Sequence, residues 1–189
     1  MSLDFFSDYA NRLNSILSNA DWHVVSDLSK DLLACWNKGN RVFICGNGGS
    51  AGNAIHLAND FIYGVAKEGR IGIKATSLND NMSIMTCFAN DIGYEGVFSK
   101  QLAVLGSQGD ILITLSGSGN SSNIISVINQ AKEQEIISYA IVGYDGGQCK
   151  KIADKVIHFD VNDMQISEDT QLIVGHMLMQ WLYKNQNEV

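Results

Sequence analysis

Proline is absent from all 189 residues, so no helix is interrupted by a fixed φ, and punctuation falls to glycine and to capping side chains. Cations are also scarce. Lys and Arg number 13 against 20 Asp and Glu, the formal net charge is −7, and no cluster of basic residues stands out against it. Such a field repels nucleic acid and anionic membranes, so neither is expected as a partner. No apolar run reaches the ~20 residues that cross a bilayer, and the opening MSLDFFSDYANRL is acidic and amphipathic, without the charged and apolar regions of a signal peptide. A cytoplasmic location is the expectation. Cys35, Cys45, Cys87 and Cys149 lack CxxC pairing, which argues against a zinc knuckle or a disulfide framework and for free, mostly buried thiols. What remains, 46% hydrophobic and 17% charged, fits one globular domain over 1–189.

Apolar positions recur at helical spacing between Leu3 and Asn37, with a break near Asn19 to Trp22, which predicts two helices before the first strand. Strands are expected at Val42–Cys45, Ile73–Leu78, Asp110–Leu115, Ser138–Val142 and Lys155–Asp160. Helical patterns cover the stretch after Ser50, Asn81–Ala89, Tyr94–Leu105, Ser121–Gln134, a short piece near Gln148–Ala153, and a closing helix from about Glu168 to Lys184. Strands alternating with helices predict an α/β fold: three αβα layers around a five-stranded parallel sheet of flavodoxin-like order, with ligands at the carboxyl ends of the strands.

Two small-residue loops fall at such ends. In RVFICGNGGSAGNAIHLAND, from Arg41 to Asp60, a β-branched and aromatic strand ends in Gly46-Asn47-Gly48-Gly49, and Ser50 sits where a helix N-cap belongs. Unpaired N–H groups and the helix dipole bind anions there without a basic residue. The second loop, Ser116-Gly117-Ser118-Gly119-Asn120-Ser121-Ser122-Asn123, offers four hydroxyls suited to wrapping one phosphate. Gly46-x-Gly48-x-x-Ala51 also matches a dinucleotide fingerprint, but Asp80 lies well past the ~20-residue offset of its ribose-binding acid, and a nicotinamide enzyme has no need of the serine loop. No nucleotide cofactor is expected; a phosphorylated small molecule is. His56 and Asp60 stand four apart on the helix after Ser50 and share a face, while Glu168 and His176 stand eight apart on the last helix. Such pairs ligate a divalent metal or supply a general acid and base. His23 and His158 are read as packed or surface residues.

The motifs CGNGGSAGNAIHLAND, FANDIGYEGVFSKQL, LSGSGNSSN, GYDGG and EDTQLIVGHMLMQWL together resemble the sugar isomerase (SIS) domain proteins, most closely the bacterial phosphoheptose isomerases, over essentially the whole chain. The resemblance implies interconversion of sedoheptulose 7-phosphate and a glycero-manno-heptose 7-phosphate, for lipopolysaccharide or capsule, in homotetramers with active sites between subunits. Residues 1–40 would then serve packing and oligomerisation, and 41–189 the sugar-phosphate core. Carried over by motif position, it assigns the sugar phosphate to Ser50, Ser116, Ser118 and Ser121, with Asn47, Asn90 and Asp91 near the sugar and Gly48, Gly49, Gly117 and Glu168 also at the substrate. His56, Asp60, Glu168 and His176 fall on the positions of a zinc ion, one per subunit, and Asp60 and His176 on those of the proton-transfer pair.

The chain departs from that pattern at three places. Asp60 stands for the usual glutamate, Glu168 for a glutamine, and Tyr63-Gly64 for a Gly-Arg pair, with Lys67, Arg70 or Lys100 of a neighbouring subunit available in the arginine's stead. A second reading, a non-catalytic sugar-phosphate sensor or an adaptor like the relatives that bind the replication initiator DnaA, has no need of a histidine at 176.

Overall fold

The structure, a computed structural model, describes residues 3–67 and 71–186. Helices α1 (Asp4–Ser18) and α2 (His23–Lys38) precede β1 (Arg41–Gly46), then come α3 (Gly49–Ile62), β2 (Lys74–Ser77), α4 (Met82–Asp91), α5 (Ser99–Leu105), β3 (Ile111–Ser116), α6 (Ser122–Glu133), β4 (Ile137–Val142), α7 (Cys149–Ile152), β5 (Lys155–His158) and α8 (Met164–Asn185), with single 3-10 turns at Gly64–Ala66 and Tyr94–Gly96. The five strands are all parallel in the order β2-β1-β3-β4-β5, the flavodoxin-like order expected. The order reverses between β1 and β3, so the loops after these two strands open side by side at the carboxyl edge.

Strands covered on both faces read as continuous apolar runs, and β3 is buried at every residue. Its alternate side chains serve two cores. Ile111, Ile113 and Leu115 join Val42, Ile44, Tyr139 and Ile141 under α2, α3 and α8, whereas Leu112 joins Phe43, Cys45, Ala140 and Val142 under α5, α6 and α7. Helix α1 buries no residue of its own and leaves Phe5 and Phe6 exposed; α4 likewise has no buried residue. Cys35, Cys45 and Cys149 are buried free thiols as expected, and Cys87 is exposed. Among the described residues no helix is long and apolar enough to cross a membrane.

Three local expectations are corrected. Helix α8 begins at Met164 rather than near Glu168, because the Asp163 side chain accepts the Ile166 N–H and caps it a full turn earlier. The N-cap of α3 is Gly48 rather than Ser50: at φ +56° it takes a conformation open to glycine, and the helix starts before the serine. Finally, the helical pattern at Tyr94–Leu105 is divided into a 3-10 turn and the shorter α5.

Candidate active site

The first element of the site is a small cavity of about 90 Å³ between the two loops, lined by Asn47, Ser50, Leu115, Ser116, Gly117, Ser118, Ser121, Met164 and Glu168. A volume of this size suits one tetrahedral oxyanion. Ser50 lies inside the first turn of α3 and is buried. Ser116 Oγ accepts the Gly119 N–H at 3.1 Å and Ser118 Oγ the Asn120 N–H at 3.3 Å, so each hydroxyl proton stays available to a ligand. Ser121 is the N-cap of α6 and its side chain makes no capping bond. No Lys or Arg lines the cavity; the N-termini of α3 and α6 supply the positive potential.

Glu168 is the exception in sign. Its carboxylate packs directly on Gly49, where a Cβ would stand, so it sits against the first turn of α3, a favourable place for a negative group.

The second element is built where α3 and α8 cross. Asn53 Nδ2 donates to the Glu168 carbonyl at 2.9 Å and to Gln171 Oε1 at 3.2 Å. Farther along the helices Gly175 lies where any Cβ would collide with the Leu57 side chain, so Leu57 of α3 packs directly onto the backbone of α8. Just beyond, His56 and Asp60 meet His176. The two Nε2 atoms are 3.0 Å apart, and Asp60 Oδ2 lies 3.4 Å from that of His56 and 3.7 Å from that of His176. The imidazoles are half-exposed while Asp60 is largely covered. These three donor atoms all lie within 4.8 Å of one another.

Two imidazole nitrogens and a carboxylate oxygen suit zinc and other borderline divalent ions. With bonds of about 2.0–2.1 Å, a tetrahedral ion would separate its ligand atoms by about 3.3–3.4 Å, which the observed spacings bracket. The residues present therefore fit a three-ligand site with a fourth position open.

The sequence-derived candidates thus divide. Asn47, Ser50, Ser116, Gly117, Ser118, Ser121 and Glu168 line one cavity, with Gly48, the N-cap of α3, and Gly49, its first residue, beside it. His56, Asp60 and His176 form the second cluster without Glu168, whose side chain is turned to the anion cavity. Asn90 and Asp91 are exposed on α4, bonded to each other at 2.7 Å, and line neither. Asp91 also accepts from the Cys87 thiol, which raises that thiol's pKa. Arg70 lies outside the described residues. Sequence reasoning missed Asn79, whose side-chain amide pairs with both backbone groups of Gly46 at 3.2 and 2.9 Å, and Tyr94, whose hydroxyl donates to Asn47 Oδ1 at 2.9 Å. Neither position carries a local signal, because each acts only through a loop distant in sequence.

Comparison with known proteins agrees with this arrangement. The family model described as SIS domain matches residues 4–143. A phosphoheptose isomerase of Helicobacter pylori is 39% identical over 138 residues, 73% of this chain and 71% of that protein, and one of Aneurinibacillus thermoaerophilus is 33% identical over 155 residues, 82% and 78% of the two. Among solved structures, a phosphoheptose isomerase from Francisella tularensis superposes with a TM-score of 0.91 at 25% identity, covering 97% of this chain and 99% of that one. By this family match and by relatives above 30% identity over most of its length, the chain belongs to the SIS domain family, among the phosphoheptose isomerases.

Proposed function

We propose that this protein is an aldose–ketose isomerase that interconverts sedoheptulose 7-phosphate and a glycero-manno-heptose 7-phosphate through an enediol. The observation that carries this reading is the separation of the two elements along one helix. Glu168 at the anion cavity and His176 at the His–Asp–His cluster are eight residues apart on α8, about 12 Å of helix rise. A substrate spanning both must carry its phosphate several carbons from its reacting carbons, as a 7-phosphate with chemistry at C1 and C2 does.

The cavity holds the phosphate through serine hydroxyls and helix N-termini, which orients the sugar toward the cluster. Of Asp60 and His176, one takes the proton from carbon and returns it to the neighbouring carbon; the other moves the proton between the two oxygens. No electron acceptor is needed, since the aldehyde formed and the ketone consumed balance. His56, Asp60 and His176 would hold a divalent ion, with zinc favoured by the donor set. When bound, the ion polarises the substrate oxygens and stabilises the enediolate charge.

The test is to incubate the protein with sedoheptulose 7-phosphate in heavy water. One deuterium at C2 of the aldose product is expected; absence of any conversion overturns the reading. The meeting of His176 with His56 and Asp60 supports catalysis over a sensor or adaptor role. A homotetramer is part of the same proposal, supported by the exposed Phe5 and Phe6 of α1 and the uncovered α4 that carries Asn90 and Asp91. Light scattering should give four times 20.6 kDa, and a monomer at micromolar concentration would refute it.

A further inference from the structure

Asn123, the second residue of α6, is almost fully buried, with 1% of its surface exposed. A buried amide needs partners for both its polar ends, and Asn123 finds both on one residue. Its Oδ1 accepts from Asn47 Nδ2 at 2.9 Å and its Nδ2 donates to Asn47 Oδ1 at 2.8 Å. Tyr94 adds a third bond to Asn47 Oδ1 at 2.9 Å.

The consequence follows from counting. An amide oxygen accepts two bonds and an amide nitrogen donates two. Both acceptor places of Asn47 are filled, and one of its two N–H groups is used. Asn47 therefore faces the cavity as a donor only, with one N–H to give. The reciprocal pair also couples the two amides, since a flip of Asn47 alone would set oxygen against oxygen and nitrogen against nitrogen. At the same time it ties the loop after β1 to the start of α6, so the gap between Asn47 and Ser121 cannot widen freely.

We propose that Asn123 is a positioning residue for phosphate binding, acting through Asn47, with Tyr94 completing the lock. The proposal rests on the reading of the cavity as the phosphate site. Its experiment measures KM and kcat for sedoheptulose 7-phosphate, and inhibition by inorganic phosphate, in the parent protein, Asn123→Ala and Tyr94→Phe. In Asn123→Ala, KM and the phosphate inhibition constant are expected to rise together by about tenfold, the scale of one well-placed neutral hydrogen bond. In Tyr94→Phe, whose side chain is half-exposed, a rise of about two- to threefold is expected. In both, kcat should stay within about a factor of three, because the His–Asp–His cluster is not touched; a merely structural defect would lower kcat and the melting temperature instead.

If Asn123→Ala is folded and both constants stay within twofold of the parent, the inference is overturned while the functional reading stands. Where Asn123→Ala fails to fold, an unchanged phosphate inhibition constant in Tyr94→Phe overturns it equally. A parent protein that neither turns over the sugar nor is inhibited by phosphate removes the functional reading, and the inference with it.

Discussion

Replacing His176 with asparagine is expected to lower kcat for sedoheptulose 7-phosphate by about 10²- to 10⁴-fold, the range that one positioned proton-transfer group contributes. Asparagine is close in size to the imidazole but has no basic nitrogen, so it removes both the proton-transfer group and one of the three donors that would hold an ion. The side chain is 43% exposed, so the stability lost is expected to be that of its contact with His56 Nε2 at 3.0 Å, about 0.5–1.5 kcal/mol. KM should move little, since the phosphate is bound at the other end of the site, two helical turns away. Steady-state kinetics with a melting curve as control measure this. A folded His176→Asn protein with unchanged turnover would show that the proton is moved by some other group.

Removal of divalent metal should have an effect of similar size. Exhaustive chelation is expected to reduce turnover by about 10²-fold or more, as losing the group that stabilises a developing oxyanion does, and one equivalent of zinc should restore it. Asp60 reaches both imidazoles with a carboxylate one methylene shorter than glutamate, and the two Nε2 atoms face each other at 3.0 Å. Such a contact is satisfied either by a proton on one ring or by a cation between them. Glu168 adds a second carboxylate to the wider site where a neutral amide would add none, and a divalent ion offsets that charge. Metal content by mass spectrometry, read beside activity, decides it: full turnover from protein shown to be metal-free is the outcome that sinks this prediction.

Much of this molecule is legible in its sequence because the signals are local. A strand buried on both faces needs a nearly continuous apolar run; Val42–Cys45 is one, and Ile111–Leu115 is broken only by Thr114. Ligand loops must be nearly free of bulk, and 46–50 and 116–123 are made of Gly, Ser and Asn alone. What the pattern misjudged were ends. Periodicity shows the middle of α8 but not its start, because the capping Asp163 is polar and falls outside the apolar stripe. Ser50 has the chemistry of a cap, yet the positive φ at Gly48 sets the helix origin before it. The Tyr94–Leu105 pattern is interrupted where the chain leaves a 3-10 turn for α5.

The sequence by itself determined the alternation of strands and helices, the two small-residue loops, and the one-turn spacing that puts His56 and Asp60 on a single face, since each is a matter of residues close in the chain. Only the tertiary structure decided which distant groups meet. His176 is 120 positions from His56, and it arrives because Gly175 leaves room for the Leu57 side chain while the Asn53 side chain bonds the Glu168 carbonyl of α8. Glu168, four residues before Leu172 on the same helix, turns instead to the N-terminus of α3 and faces the anion cavity. Helical periodicity says which side chains share a stripe, but the crossing of two helices selects which of them share a site.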